Sequence, residues 1–373
     1  MDYFFITDDK NEQEKLGRRI VEEKSEIYTK KTIDFIKHVI DDKLYNASSI
    51  KRESEFYRSI YHYWAYGCSV DEYLFLKFYD KNAEQIKDYI TVHQKVLYLN
   101  RLNNKKDAHY LNNKYDAYLL LKEYFKRDMI KISSEEDYTK FLSFVEKHPD
   151  FVVKPVDMGL GDGVHKSSVK GLNNDEKEIL FNDLLKEASS NIDKYWFGSE
   201  KAIVLEEIIE QDNRFAAFHA ASVNSVRITT VKVNAETKIF RPWIKIGRGG
   251  QFVTSAAYGT FIAGIDEKTG VVVTPALNEN NETYDIHPDT NTPILGFKIP
   301  LWEDAVKMVK EMAERLPNVG YIGWDIVLTP RGWCVMEGNF QGDFMWQMIY
   351  DKGCKKEFEE LIGWKLEQKF WWE

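Results

Sequence analysis

Hydrophobic residues recur at two different spacings along the chain, and the change falls near residue 150. Between residues 12 and 126, isoleucine, leucine, phenylalanine and tyrosine repeat at helical spacing among charged residues, with little glycine or proline. The stretches SVDE at Ser69–Glu72 and SSEE at Ser133–Glu136 have the pattern of capping boxes, which begin helices. We therefore predict a helical N-terminal region, whose many aromatic residues form its core or, alternatively, a stacking platform for sugars or bases.

After Phe151, short runs rich in β-branched residues replace the helical pattern. The runs that predict strands are FVVKP, KAIVLEEI, SVRITTVKV, KIFRPWIKIG and VVVTPAL. Turns rich in glycine or asparagine separate them, together with two amphipathic helical patterns at residues 174–188 and 302–316. Because helices and strands do not alternate regularly, this half of the chain predicts a mixed α+β fold rather than repeated βαβ units.

Composition and charge narrow the function classes. The chain has 373 residues, enough for two or three domains, and a net charge of −9. Without a basic excess, it does not have the composition of a general nucleic-acid or membrane-surface binder. Its three cysteines show no metal or redox spacing, and neither a signal peptide nor a bilayer-length apolar run is evident. We expect a cytoplasmic protein with no nucleic-acid partner and no membrane span.

Two acidic residues flank a tight turn in WDIVLTPRGWCVMEGN, at residues 324–339. The flanking runs predict strands, and Pro330 and Gly332 suit a three-residue hairpin loop. In that register Asp325 lies directly opposite Glu337. Like charges in this arrangement destabilise a sheet, so a further component is needed to explain it.

A hard cation bound by oxygen atoms would explain the facing carboxylates. Asn339 lies two residues after Glu337, shares its face of the strand and adds an amide oxygen. The alternative is a two-residue turn, which would place Asp325 opposite Met336 and turn Glu337 to the other face. Both acids would then be ordinary solvated or salt-bridged residues.

A lysine and three glycines in FVVKPVDMGLGDGVHK suggest a phosphate-binding loop. Lys154 ends an apolar run, and Gly159, Gly161 and Gly163 follow it. Glycine lets backbone amides approach phosphate oxygens closely, and lysine adds a positive charge. The spacing is not that of a dinucleotide-binding turn, and a protein kinase has its glycine loop before the lysine. The alternative is a flexible β-hairpin with a structural lysine.

Charged residues also occur at three other predicted strands. Glu206 and Glu207 follow the apolar run in IVLEEIIEQ, where they suit either an adenine amino group or the solvated end of an edge strand. Arg227 lies in the middle of SVRITTVKV, so it requires an anionic partner such as phosphate or carboxylate. Lys245 and Arg248 in RPWIKIGRGG add two more basic groups.

The order of these motifs resembles the ATP-grasp superfamily, and more closely its sugar-transfer-associated branch, found with bacterial surface-glycan genes. The segments concerned are LNNKYDAYLLLKEYF, FVVKP, GDGVHK, NSVRITT, IGRGG and DIVLTPRGWCVMEGN, within roughly residues 110–350. The resemblance implies an ATP-grasp fold, in which two α+β subdomains clasp ATP, with a helical N-terminal region. We therefore expect a helical region over residues 1–110, an N-terminal subdomain with the phosphate loop over 111–200 and a C-terminal subdomain with the hairpin over 201–373.

The resemblance also implies roles for individual residues. Lys114 and Lys154 would contact the α- and β-phosphates of ATP, beneath the glycine loop. The implied nucleotide-binding residues are Lys114, Lys154, Gly161, Gly163, His165, Glu206, Glu207, Ile208, Ile209 and Asp212. The implied magnesium ligands are Asp325, Glu337 and Asn339. Arg227, with Lys245 or Arg248, would stabilise the transferring phosphoryl group.

The activity implied is that of an ATP- and Mg²⁺-dependent carboxylate–amine ligase that works through an acyl phosphate. Its partners would be a small-molecule or glycan carboxylate, such as a uronate or amino acid, and an amine nucleophile. A phosphotransferase and a non-enzymatic nucleotide- or glycan-binding module are the alternatives. One departure bears on the acceptor, because Thr254 and Ser255 stand where relatives carry an Asp-Asn pair. The acceptor, the nucleophile and the oligomeric state stay open at this point.

Overall fold

A computed structural model describes the chain except residues 2, 158, 160, 191–199, 235, 251–258, 343, 368–369 and 371–373. Two compact units are present, one formed by Met1–Arg101 with Asp343–Glu373 and the other by Leu102–Gly342. Most of the helical region that we predict for residues 1–110 falls in the first unit. The further division at residue 200 stays a prediction.

Helices dominate the first unit and the start of the second. In chain order they are α1 (Lys10–Glu23), α2 (Lys30–Lys43), α3 (Ser49–Tyr66), α4 (Val70–Phe75), α5 (Ala83–Ile86), α6 (Val92–Leu102), α7 (Lys105–Ala108), α8 (Lys114–Phe125), α9 (Tyr138–Lys147), α10 (Asn174–Ser190), α11 (Asn213–Ala216), α12 (Trp302–Glu314), α13 (Trp346–Ile349) and α14 (Lys355–Ile362). The helices predicted at residues 174–188 and 302–316 are confirmed as α10 and α12. No helix among the described residues is long and apolar enough to cross a bilayer.

Of the two capping boxes predicted from the sequence, one is confirmed and the other lies one residue further along the chain. Ser69 and Glu72 form one at the start of α4, where each side chain bonds the backbone N–H of the other at 3.1 Å. The box predicted at Ser133–Glu136 is wrong by one residue, because it joins Ser134 and Asp137. The Asp137 carboxylate accepts hydrogen bonds from two consecutive backbone N–H groups, which draws the cap forward.

Aromatic side chains form the core of the first unit. Tyr61, Trp64, Tyr73 and Phe78 are buried together with aliphatic residues of α1 and α3. The Trp64 indole N–H donates to the Tyr28 hydroxyl at 2.8 Å, which satisfies its polar atom inside the core. The core alternative for these aromatic residues is therefore confirmed.

The described part of the second unit contains two antiparallel sheets. The strands are β1 (Met129–Ile132), β2 (Asp150–Pro155), β3 (His165–Ser168), β4 (Ile203–Glu207), β5 (Ser225–Val233), β6 (Glu236–Ile246), β7 (Phe261–Gly264), β8 (Ala276–Leu277), β9 (Thr283–Tyr284), β10 (Tyr321–Thr329) and β11 (Gly332–Asn339). Among the described residues, one sheet has the order β1-β4-β2-β3 and the other β11-β10-β5-β6-β7-β8-β9. Of these strands, β1, β7 and β9 lie outside the predicted runs, since their two to four residues are too short to stand out in the sequence pattern.

Strand β10 separates a hydrophobic core from a polar face. Ile322, Trp324, Ile326 and Leu328 alternate along it and pack into the same core as the apolar side of α12. The intervening positions, including Asp325, therefore point to the opposite face of the sheet. Burial of both faces explains why every residue of β10 is buried. This polar face carries the candidate site.

Candidate functional site

The β10–β11 hairpin places Asp325 opposite Glu337, as the sequence predicts, but by a different route. Thr329 pairs with Gly332, so the turn has two residues and the predicted three-residue loop is wrong. A bulge then shifts the register between Asp325 and the next residue of β10, and Met336 is the extra residue on β11. The bulge cancels the shift that the shorter turn would otherwise impose. The two carboxylates therefore share one face of the sheet.

Asp325 is a buried counter-ion for two cations. Arg227, directly opposite on β5, donates to its two carboxylate oxygens at 2.6 and 2.8 Å, and Lys245 of β6 donates to one of them at 2.8 Å. Burial alone would raise the pKa of Asp325, but the charges of Arg227 and Lys245 outweigh burial and hold this pKa well below its usual range. The anionic partner that the sequence requires for Arg227 is thus a carboxylate of the same sheet.

A glycine makes room for this ion cluster. Gly323 precedes Asp325 by two residues on the same face, and a Cβ atom there would lie 2.8 Å from Nη1 of Arg227. Any larger residue would push the guanidinium away from the carboxylate. The absence of a side chain at Gly323 is therefore part of the site, a signal that sequence reasoning missed.

The three predicted magnesium ligands form an oxygen-rich group. Glu337 is half-buried, and the Asn339 amide donates to one of its carboxylate oxygens at 3.2 Å. A carboxylate offers about four lone-pair positions, and Asp325 uses three of them for Arg227 and Lys245. The one remaining lone pair of Asp325, with those of Glu337 and the amide oxygen of Asn339, offers the hard oxygen ligands that Mg²⁺ prefers. These side chains therefore fit a magnesium ion.

A second buried ion cluster lies in the four-stranded sheet. Lys154 of β2 and Arg127 both donate to Oε2 of Glu206 on β4, at 2.9 and 3.1 Å. Burial alone would raise the pKa of Glu206, but the charges and hydrogen bonds of Lys154 and Arg127 lower this pKa to about 2. No described residue donates a hydrogen bond to the other carboxylate oxygen, Oε1.

Lys114 lies within electrostatic reach of Glu337 and of the Lys154–Glu206 pair. It is the first residue of α8, and its ammonium group donates to the Pro155 carbonyl at 3.0 Å. Burial lowers the pKa of Lys114 and the charge of Lys154 lowers it further, whereas the charges of Glu337 and Glu206 oppose the shift. The structure thus brings Lys114 and Lys154 together near the metal-binding group, although 40 residues of sequence separate them.

The glycine loop connects β2 and β3. Gly161 and Gly163 have positive φ angles of 82° and 71°, which favour glycine, and a Cβ at Gly163 would lie 2.7 Å from the Pro155 ring. The strand predicted after this loop is confirmed as β3, where Val153 pairs with His165. His165 itself is exposed on an edge strand and bonds Glu187 at 3.1 Å, rather than the Lys154 cluster.

The segment after β4 lies against the hairpin. The Glu207 carboxylate accepts from Arg331 of the turn at 2.8 Å, and the Asp212 backbone N–H donates to the Leu328 carbonyl at 2.8 Å. Between them Ile208 and Ile209 are half-buried at the end of the strand. Asp212 also caps the short helix α11 and pairs with Arg214 at 2.8 Å.

Arg248 stands apart from the Asp325 cluster. Its guanidinium bonds both carboxylate oxygens of Glu279, at 2.6 and 2.7 Å, and the Gly259 carbonyl. In the part of the chain that the structure describes, no hydrogen bond or ion pair joins it to Asp325. Thr254 and Ser255, the departure from the family pattern, lie outside the described residues.

Arg127 is the charged residue that sequence reasoning missed. It lies between α8 and β1, and besides Glu206 it bonds the carbonyls of Phe125 and Val335, at 3.2 and 2.6 Å. Its sequence context, KRDMIKI, shows only a basic residue before an apolar run. Nothing local to the sequence indicates that its guanidinium is buried.

The family model described as sugar-transfer associated ATP-grasp matches residues 93–362. No curated protein matches the chain significantly.

Solved structures of several ligases are similar to the chain at low sequence identity. The ATP-grasp ligase PsnB complexed with minimal precursor is 13% identical, with a TM-score of 0.38 over 71% of this chain and 59% of that one. D-alanyl-alanine synthetase A from Vibrio cholerae is 12% identical, with a TM-score of 0.40 over 71% and 63%. Phosphoribosylamine–glycine ligase from Thermotoga maritima is 14% identical, with a TM-score of 0.42 over 71% and 57%. The chain thus spans about three fifths of the length of these structures.

Proposed function

Because the chain belongs to the sugar-transfer associated ATP-grasp family, we propose that it is an ATP- and Mg²⁺-dependent ligase that joins a carboxylate to an amine. The observation that carries this proposal is the pairing of Asp325 with Glu337 across the hairpin, beside the buried Arg227 and the half-buried Lys245. This face combines oxygen ligands for a metal ion with fixed positive charge for phosphate groups.

Binding of ATP would use the cationic end of the four-stranded sheet. Lys114 and Lys154 supply positive charge for the α- and β-phosphates, and the loop at Gly161 and Gly163 brings backbone amides to them. Adenine would lie along the end of β4, where Oε1 of Glu206 can accept from the amino group. The main chain at Ile208 and Ile209 offers the remaining polar groups, and the ribose would lie near Asp212.

The magnesium ion would be held by Asp325, Glu337 and Asn339. When bound, it neutralises negative charge on the phosphate oxygens during transfer. Arg227 and Lys245 are already oriented by Asp325, so they stabilise developing charge on the transferred phosphoryl group without reorganisation. Lys245 suits this role better than Arg248, because it contacts the proposed metal ligand Asp325, whereas Arg248 is paired with Glu279.

The proposed reaction has two steps, formation of an acyl phosphate and attack of the amine on it. The acceptor carboxylate attacks the γ-phosphorus of ATP, ADP leaves, and the amine then displaces inorganic phosphate from the acyl carbon. We propose a uronate, other glycan carboxylate or amino acid as acceptor, in the cytoplasmic synthesis of a bacterial glycan. The buried free thiols of Cys68, Cys334 and Cys354 support a reducing compartment.

Nucleotide binding can be tested by thermal unfolding with a non-hydrolysable ATP analogue, with and without Mg²⁺. At about 100 times its Kd, the analogue should stabilise the wild type by roughly 2.7 kcal/mol. Glu337→Gln should reduce the Mg²⁺-dependent part of this shift, whereas Glu178→Gln, at an exposed position of α10, should keep it. A wild type that shows no shift with the analogue would overturn the proposal.

Turnover separates the ligase from its two alternatives. With a productive carboxylate and amine, a ligase releases inorganic phosphate, whereas a phosphotransferase leaves the phosphate on its acceptor. A binding module shows the thermal shift without consuming ATP. Release of inorganic phosphate that requires both the carboxylate and the amine would establish the ligase.

A further inference from the structure

The buried guanidinium of Arg127 joins the two parts of the candidate site. Only 2% of its side chain is exposed, and its Nε donates to Glu206 of the four-stranded sheet. Its Nη1 donates to the Val335 carbonyl of β11 at 2.6 Å, and its Nη2 lies 3.5 Å from the Met336 carbonyl. Met336 is the bulge residue that places Glu337 opposite Asp325. One side chain therefore contacts both the partner of Lys154 and the strand of the metal ligands.

Arg127 gives the buried carboxylate of Glu206 a second cationic partner besides Lys154. The Glu206 side chain is 3% exposed, and a single carboxylate oxygen, Oε2, accepts from both Lys154 and Arg127. If Lys154 were its sole partner, a move of Lys154 toward a phosphate would leave a buried carboxylate unpaired. Leaving a buried charge without its partner is strongly unfavourable. With Arg127 in place, Glu206 keeps a charged partner whichever way Lys154 points.

We infer that Arg127 is a positioning residue that keeps Glu206 paired while Lys154 leaves it to bind a nucleotide phosphate. This inference rests on the proposed function, because it takes Lys154 to be a phosphate ligand. Arg127 acts through Glu206 and does not itself touch the nucleotide. The side chain exposures agree with this division, since Lys154 is 15% exposed and Arg127 is closed off from solvent.

A double-mutant cycle between Arg127 and Glu206 tests the inference. The measured quantity is the Kd of a non-hydrolysable ATP analogue with Mg²⁺, determined by titration calorimetry. Arg127→Met should weaken binding at least about tenfold, which corresponds to about 1.4 kcal/mol. In the Glu206→Gln background the same substitution should change the Kd by less than about threefold, because residue 206 then carries no buried charge that could lose its partner. Arg127→Lys should largely restore binding, since an ammonium group can still pair with Glu206.

The outcomes separate this inference from the proposed function. If the wild type does not bind the analogue, the proposed function fails. If the wild type binds and Lys154→Met weakens binding, but Arg127→Met has no effect, the inference alone is overturned. An equal loss from Arg127→Met in both backgrounds also overturns it, because Arg127 would then act only through its contacts with β11. If Arg127→Met does not fold, Arg127→Gln, which also removes the charge, replaces it in the same two backgrounds, and the same outcomes decide.

Discussion

Replacing Asp325 by asparagine removes the negative charge between Arg227 and Lys245 while keeping the shape of the side chain. Asp325 is 3% exposed, and its carboxylate accepts hydrogen bonds of 2.6, 2.8 and 2.8 Å from the two cations. Asparagine would leave two positive charges close together in a buried position. We therefore expect Asp325→Asn to destabilise the sheet around β5 and β10.

The contacts of Asp325 set the size of this effect. Hydrogen bonds to charged groups contribute about 1.5–3 kcal/mol each, so losing all three would destabilise the fold by roughly 5–9 kcal/mol. The asparagine carbonyl can still accept from Arg227, and Lys245, with 15% of its side chain exposed, can turn to water. We expect a loss of about 3–5 kcal/mol, the range for breaking a buried ion pair.

Hydrogen exchange by mass spectrometry measures this loss locally, which matters because a chain of two compact units does not unfold in one step. Peptides covering residues 225–233 and 321–329 should exchange faster in Asp325→Asn by about two to nearly four orders of magnitude. Asp285→Asn is the matched control, since Asp285 is exposed and its carboxylate bonds none of the described residues. A loss below about 1 kcal/mol in Asp325→Asn would show that Asp325 is not the buried counter-ion.

Three further predictions concern the first unit. Burial lowers the pKa of His62 to about 3, so only the unfolded state binds its proton as the pH falls below 6.5. In urea unfolding, the contribution of neutral His62 to the free energy of unfolding should therefore be fully present above pH 6.5. At pH 5.5 this contribution should be about 1.4 kcal/mol lower than at pH 7.5. His62→Asn should flatten that dependence, and an unchanged slope would contradict the assignment. Gly17→Ala should destabilise the unit by about 1–3 kcal/mol, because its Cβ would lie 2.0 Å from the Tyr57 carbonyl oxygen. A Cβ at Gly159, in the second unit, would have open space, so Gly159→Ala should cost that unit little; a loss as large as that of the first unit in Gly17→Ala would refute the steric argument. Ser69→Ala should lower stability by about 1 kcal/mol through loss of the α4 cap, and faster amide exchange in α4 would report it.

Local patterns predicted the parts of the candidate site that depend on strand periodicity. Asn339 contacts Glu337 because side chains on a strand alternate with a fixed period of two. Asp325 lies opposite Glu337, as predicted, but only because the bulge at Met336 offsets the shorter turn. The turn length could not be predicted in the same way. Met336 looks like any other strand residue in the sequence, and only the backbone ladder reveals that it forms a bulge.

The ion pairs of the site were beyond prediction from local patterns. Arg227 and Asp325 are 98 residues apart in sequence, Lys154 and Glu206 52 residues, and Arg127 lies 208 residues from Val335. The sequence indicated that Arg227 needs an anion but left phosphate and carboxylate as equal choices. The pairing of β5 with β10 supplies the carboxylate of Asp325 as its partner in the structure.

The amino-acid sequence alone thus determined the helical first region, the strand-rich second part and the shared face of Glu337 and Asn339 on their strand. Each of these follows from backbone geometry, which repeats over a few residues and leaves its period in the sequence. Only the tertiary structure decided that Asp325 balances Arg227 and Lys245, that Glu206 binds Lys154, and that Arg127 connects this pair to β11. A buried charge requires a partner but does not specify one, so the partner is set by the packing that brings distant strands together.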